Sequence, residues 1–104
     1  MEIVITDQNY SEYASQKKPM MIDFSATWCG PCKKMAPIIE ELGKKFDGQI
    51  IVGKVDVDDN PEITSQFGIR NIPTILFFKD GQVVDKTVGA IPATEVVARM
   101  EKLL

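Results

Sequence analysis

Short apolar runs of strand length alternate along the chain with segments in which apolar residues recur at helical spacing. The run Met-Met-Ile-Asp-Phe-Ser at residues 20–25 hardly alternates between apolar and polar, which is typical of a strand buried on both faces. Residues 29–46 place apolar side chains three or four positions apart and predict a long amphipathic helix. Pro37 lies inside this helix, where it removes a hydrogen bond and is expected to kink it.

The same criteria predict nine elements: strand 3–5, helix 8–15, strand 20–25, helix 29–46, strand 50–57, a short helix 61–67, strand 75–79, strand 83–88 and helix 94–104. Thr6 and Asp7 offer caps to the first helix. Asp80-Gly81-Gln82 favours a hairpin between the last two strands. The order predicts an α/β fold, with a central mixed five-stranded sheet flanked by four helices on both faces. Residues 1–104 are expected to form a single domain.

Composition and charge narrow the classes of function. The formal net charge is -3 and the basic residues are scattered, whereas nucleic-acid binding needs clustered Lys and Arg, so no nucleic-acid partner is expected. The longest apolar stretches, such as residues 75–78, are far shorter than the ~20 residues of a membrane span, and no membrane association is expected. No secretory signal is visible and only two cysteines are present, which predicts a cytoplasmic protein.

Both cysteines stand in the segment Trp28-Cys29-Gly30-Pro31-Cys32, where the second strand gives way to the long helix. Open α/β folds place their sites at the carboxyl ends of strands, and a helix start offers free N–H groups and a partial positive charge. The free N–H groups and the partial positive charge of the helix start both favour a thiolate at Cys29. Cys32 lies one turn further on the same helical face and can attack a mixed disulfide held at Cys29. Pro31 suits a first helical turn, and Gly30 leaves room for a partner backbone.

Three other interpretations of the cysteine pair stay open. A structural staple across so short a loop would stabilise the fold by only ~2 kcal/mol and would not persist in a reducing compartment. Half of a zinc site would need further ligands, and the chain has no His and no third Cys, so no metal is expected. A chance occurrence is disfavoured by the position between strand and helix. A redox-active pair is the interpretation that the placement favours.

The chain resembles the thioredoxin family over essentially its whole length. The matching motifs, in the family's order, are Ile22-Asp23-Phe24, Ala26-Thr27-Trp28-Cys29-Gly30-Pro31-Cys32-Lys33, Val55-Asp56-Val57-Asp58, Ile72-Pro73-Thr74 and Val88-Gly89-Ala90. The resemblance implies the thioredoxin fold and a general protein-disulfide reductase, with Cys29 as nucleophile and Cys32 as resolving thiol. No bound cofactor is implied besides the redox-active disulfide.

The resemblance also implies partners. Disulfide-containing client proteins are the substrates, and a thioredoxin reductase carrying NADPH and FAD re-reduces the cysteine pair. The chain has no Gly-x-Gly-x-x-Gly loop of its own, which is why the nicotinamide and flavin are expected on that reductase. Nothing in the sequence indicates an obligate dimer, and a monomer is expected.

The resemblance assigns roles to further residues. Asp23 is implied to be a buried proton acceptor that serves Cys32, with Lys54 close to it; the alternatives are a strand-end carboxylate that reaches water and a lysine on a solvated face. Base rates favour a trans bond before Pro73, whereas the family implies a cis bond beside the cysteines, with the Ile72 backbone offered to an extended client segment. The implied substrate-binding residues are Trp28, Gly30, Pro31, Ile72, Pro73, Gly89 and Ala90.

Some features of the chain admit another interpretation or depart from the family. Gly89 also fits a simple turn or bulge. Ser25 departs from many bacterial members, which carry an aromatic residue there, so the packing behind the site does not follow from the family. Oxidase and isomerase relatives commonly hold a His between the cysteines, whereas this chain has Gly30-Pro31. A non-catalytic binding module is the alternative class, although it need not retain both cysteines, Asp23 and Pro73 together.

Overall fold

Five strands form one mixed sheet in the computed structural model, which describes residues 1–104. The strands are β1 (Glu2–Val4), β2 (Met20–Ser25), β3 (Ile51–Asp56), β4 (Thr74–Lys79) and β5 (Gln82–Val88). Their order across the sheet is β1-β3-β2-β4-β5. Strand β3 runs parallel to both β1 and β2, while β4 is antiparallel to β2 and β5. The mixed sheet expected from the strand and helix order is therefore confirmed.

Four helices connect and cover the sheet: α1 (Tyr10–Ala14), α2 (Gly30–Lys45), α3 (Pro61–Gln66) and α4 (Ala93–Glu101). Every predicted element is present in the predicted order. The bounds differ by at most two residues, except that α4 ends three residues early. Pro37 lies inside α2, which remains one helix from Gly30 to Lys45. None of the helices has the length and apolar character that crossing a membrane requires.

Two apolar cores lie on opposite faces of the sheet, because successive side chains of the buried strand β2 point in opposite directions. The core beneath α2 and α4 includes Met21, Met35, Ile39, Val96 and Met100. The core beneath α1 and α3 includes Ile22, Phe24, Ile63 and Phe78, with Tyr10 packed on it. Helices therefore cover both faces, as predicted.

The hairpin between β4 and β5 confirms the turn signal. Lys79 pairs with Gln82, which leaves Asp80 and Gly81 as the two turn residues. Both have positive φ, 54° for Asp80 and 81° for Gly81. A type I′ turn needs this conformation at both central positions, and Asp-Gly is one of the pairs that adopt it readily.

The caps of the first helix differ in part from the prediction. The N-cap residue of α1 is Asn9, not Thr6 or Asp7. Thr6 Oγ1 accepts a hydrogen bond from the Asn9 backbone N–H at 3.2 Å, in the turn that precedes the helix. The expectation for Asp7 was wrong. Its carboxylate accepts the backbone N–H groups of Glu62 at 3.2 Å and Ile63 at 2.8 Å, in the first turn of α3. The start of α3 lies beside Asp7 only in the folded chain, whereas the sequence placed Asp7 next to α1.

Replacing Asp7 with Ala should lower the free energy of unfolding by about 1–2 kcal/mol, because two N–H groups at the start of α3 lose their acceptor. Urea denaturation at neutral pH measures the change. The control is Asp59→Ala, since Asp59 precedes the same helix but is exposed and its side chain accepts no hydrogen bond. That variant should lose less than about 0.5 kcal/mol. Equal losses in both would show that charge near the helix, and not the two bonds, is what stabilises α3.

Candidate active site at the start of α2

The two cysteines lie where β2 passes into α2, as the sequence predicted. Cys29 is the N-cap residue of α2, with an extended backbone at φ -90° and ψ 115°. The Cys32 backbone N–H donates a hydrogen bond to Cys29 Sγ at 3.2 Å. One of the free N–H groups of the helix start therefore points at the sulfur atom, which is the arrangement that favours a thiolate at this position.

Cys29 and Cys32 form a disulfide and are both buried. Together with Ala26 they form a small cluster against which Ile72 packs. Gly30 lies exposed between them, and a Cβ atom added there would meet nothing within 4 Å. The cysteine pair is therefore accessible from the side on which Gly30 lies, called here the open side, where the sequence predicted room for a partner backbone.

Trp28 borders this open side. Its side chain is the most prominent apolar group at the site, at 67% exposure. The indole Nε1–H donates a hydrogen bond to Asp58 Oδ2 at 2.8 Å, which fixes the ring beside the cysteines. Asp58 belongs to a motif that matched the family, but no role was predicted for it from the sequence. The available signal was its position just past the carboxyl end of β3, at the same edge of the sheet as Trp28.

The segment before β4 forms the other side. The Ile72–Pro73 peptide bond is cis, as the resemblance implied. The Ile72 carbonyl oxygen lies 3.9 Å from Cys29 Sγ. The Pro73 carbonyl accepts the Gly89 N–H at 2.8 Å, which ties this segment to the end of β5. Gly89 has a φ of 88°, a conformation that favours glycine, and the exposed Ala90 follows it. The structure thus places the substrate-binding residues that the resemblance implied at one end of the molecule.

Asp23 is buried in the middle of β2, with 3% of its surface exposed, which excludes a strand-end carboxylate that reaches water. It follows Met21 by two residues and points to the same face, toward α2, whose first turn carries Cys32. Burial is the main cause that raises the pKa of Asp23 to about 7; the Glu2 carboxylate also raises it, and Lys54 lowers it. The group can exchange a proton near neutral pH.

Lys54 lies directly opposite Asp23 in the parallel pair of β2 and β3. Its side chain is half exposed, so the solvated-face alternative also holds in part. The ammonium Nζ lies 3.8 Å from Oε1 of Glu2 on β1, whereas Asp23 makes no ion pair and its Oδ1 has no hydrogen-bond partner. Sequence reasoning did not single out Glu2, because an acidic residue in a three-residue edge strand carries no recognisable signal.

A cleft of about 270 Å³ opens beside Cys32, between the first turns of α2 and the carboxyl end of β3. Its walls include Ser25, Ala26, Cys32, Lys33, Lys54 and Val55. Ser25 is the position at which the sequence departs from many bacterial thioredoxins, and its small side chain leaves space behind the second cysteine. No cluster of three or more His, Cys, Asp or Glu side chains is arranged to hold a metal ion.

The chain is similar to known proteins over nearly its whole length. The family model described as Thioredoxin matches residues 1–102. Thioredoxin 1 of Nostoc sp. is 45% identical over 101 residues, which cover 96% of this chain and 94% of that protein. Thioredoxin of Alicyclobacillus acidocaldarius is 41% identical over 102 residues, or 98% of this chain and 97% of that protein. The chloroplastic M-type thioredoxin of Spinacia oleracea is 43% identical over 101 residues, 96% of this chain and 56% of that protein.

The raised pKa of Asp23 has a consequence for stability. The value of about 7 lies above the ordinary 3.8, so between these values the folded protein binds more protons than the unfolded chain. The free energy of unfolding should therefore fall as pH rises from about 4 to 7. At pH 8, Asp23→Asn should be more stable than the unaltered protein by on the order of a few kcal/mol, because no charge is buried.

Urea denaturation of the oxidised protein between pH 4 and pH 8 measures this difference. The control variant is Asp59→Asn, which removes an exposed carboxylate and should follow the pH dependence of the unaltered protein. If the curve for Asp23→Asn ran parallel to that of the unaltered protein, Asp23 would titrate in its ordinary range.

Proposed function

Since this chain belongs to the thioredoxin family of thiol–disulfide oxidoreductases, we propose that it reduces the disulfides of client proteins. The observation that carries the proposal is the Cys32 N–H that donates to Cys29 Sγ at the start of α2. This contact supports a reactive thiolate at Cys29, with the second cysteine buried one turn behind it. The dipeptide Gly30-Pro31 between the cysteines supports reduction rather than oxidation, because it lacks the His of oxidising relatives.

The first step is attack by Cys29. In the reduced protein its thiolate attacks one sulfur of the client disulfide, and the other client sulfur leaves as a thiolate. A mixed disulfide now joins Cys29 to the client. We assign the nucleophile to Cys29 because its sulfur receives the helix N–H and lies against the open side of the site.

The second step is resolution by Cys32. Its thiol gives its proton to the Asp23 carboxylate, and the resulting thiolate attacks Cys29 Sγ, so that the second client sulfur leaves. Two electrons pass from the cysteine pair to the client, whose two sulfurs leave as thiolates and take up protons from solvent. The Cys29 proton went to solvent when its thiolate formed, and the Cys32 proton passes to solvent from Asp23. Asp23 suits this role because its pKa of about 7 permits both uptake and release near neutral pH. The Lys54 backbone pairs with that of Asp23, and the lysine charge lowers the pKa of Asp23 and so favours the ionised carboxylate.

Client binding is assigned to the surface around the open side. An extended client segment would pair with the backbone at Ile72, whose carbonyl oxygen lies near Cys29 Sγ. The exposed Trp28 indole, held by Asp58, supplies apolar contact area at the rim. The proposed contact residues are Trp28, Gly30, Pro31, Ile72, Pro73, Gly89 and Ala90.

Each turnover leaves the cysteine pair oxidised, so a reductant must restore it. We assign this to a thioredoxin reductase that holds FAD and draws on NADPH. We further propose that the chain acts as a single-domain monomer in the cytoplasm, with no nucleic-acid or membrane partner. The relatives from Spinacia oleracea and Pisum sativum are named chloroplastic, so localisation in the cytoplasm is a proposal specific to this chain.

Serine substitutions separate the roles of the two cysteines. Cys32→Ser should still attack a client disulfide and accumulate a covalent complex, because resolution is blocked, whereas Cys29→Ser should form none. Mass spectrometry of the protein mixed with a disulfide-bonded peptide detects the complex. Both variants should lose turnover by about a thousandfold or more. If the variant with both Cys29→Ser and Cys32→Ser retained its activity in cells, the protein would be a binding module.

The direction of electron flow is tested by the reduction potential of the Cys29–Cys32 pair. Equilibration against dithiothreitol or glutathione buffers should give a value near the roughly -270 mV known for thioredoxin itself. That result would support the reductase and make coupling to a flavoprotein reductase the next assay. A value of about -180 to -120 mV would instead assign an isomerase or oxidase.

A further inference from the structure

The ammonium group of Lys54 forms its ion pair with Glu2 and none with Asp23. Its Cα pairs with that of Asp23, the buried carboxylate, yet its Nζ lies 3.8 Å from Glu2 Oε1 on the neighbouring edge strand. Asp23 is left without an ion pair, and its Oδ1 without a hydrogen bond. The one lysine opposite the buried carboxylate is thus engaged by a different carboxylate.

Glu2 is held firmly in the position from which it engages Lys54. Its backbone pairs with Val52 of β3 and packs against α2 so closely that a Cβ atom on Gly43 would lie 2.8 Å from the Glu2 nitrogen. The Glu2 side chain is only 14% exposed. Burial raises the pKa of Glu2 and Lys54 lowers it, so the lysine is the partner that makes this partly buried carboxylate tolerable.

Six titratable or charged groups lie at this end of the sheet, on the elements packed around Asp23. The titratable or charged groups on the elements packed around it at this end of the sheet are Glu2 of β1, Lys54 and Asp56 of β3, and Cys32, Lys33 and Glu40 of α2. On the other side, β4 places the apolar Ile75 opposite Asp23. Glu2 raises the pKa of Asp23 and Lys54 lowers it, while Glu40 raises the pKa of Glu2.

We propose that Glu2 is a positioning residue: it holds the Lys54 ammonium at the edge of the sheet, away from Asp23, and thereby sets the pH range in which Asp23 exchanges its proton. Its effect on the reaction rate rests on the proposed function, in which Asp23 accepts the Cys32 proton. Its effect on Asp23 itself does not. Glu2 contacts neither the cysteines nor a client, and acts only through Lys54 and through its own charge.

Two substitutions should move the titration of Asp23 in opposite directions. Glu2→Gln removes a negative charge and releases Lys54, so the Asp23 midpoint should fall by on the order of half a pH unit, about threefold in proton affinity. Lys54→Met removes the cation, so the midpoint should rise by a similar amount. Carbon-13 NMR of the Asp23 carboxyl in the oxidised protein measures both midpoints. Glu41→Gln is the control, since Glu41 lies in a separate groove with Pro37 and Ala93.

An unchanged or higher midpoint in Glu2→Gln would overturn the inference. If that variant failed to fold, a midpoint in Lys54→Met that did not rise would overturn it equally well. The pH profile for client release from the mixed disulfide provides a second readout, and it should move with the midpoint in each variant. If the midpoints moved as expected but the release profile did not, the role of Glu2 would stand and the proposed acceptor role of Asp23 would be wrong.

Discussion

The packing of α2 across the sheet is the constraint on which the site depends. Apolar side chains of the helix lock into the core above β2, so the first turn of α2 is held over the carboxyl end of that strand. This placement brings the Cys32 backbone N–H within hydrogen-bond distance of Cys29 Sγ. Cys29 becomes the N-cap residue, Cys32 lies one turn further on, and Asp23 of β2 faces the same helix. The geometry of the cysteine pair therefore follows from one helix–sheet contact.

Stability and the proposed reactivity oppose each other at Asp23. An unpaired carboxylate in the core destabilises the folded state once it is ionised, since burial favours the neutral acid. The same burial gives the group the proton affinity near neutral pH that its proposed role toward the Cys32 thiol requires. The sheet tolerates this arrangement because apolar contacts on both faces of β2 are extensive. A better-paired aspartate would stabilise the fold but would bind its proton less readily.

The sequence predicted those features that depend on neighbouring residues. The continuous apolar run of β2, the helical spacing of α2 and the Asp80-Gly81 turn each carry a local signal, and all three were confirmed. Long-range contacts were not predictable in this way. Asp7 caps α3 rather than α1, because the partner helix starts more than fifty residues later in the chain.

The same limit explains what was missed at the site. Asp58 and Glu2 act through contacts with Trp28 and Lys54 that exist only in the folded chain. The cis bond before Pro73 followed from the family resemblance, whereas local statistics favoured trans.

The position of Trp28 makes the site observable by fluorescence. It is the only tryptophan of the chain and stands solvent-exposed beside the disulfide. Indole emission therefore has a single origin, and the unlabelled protein carries its own optical reporter at the place where clients are proposed to dock.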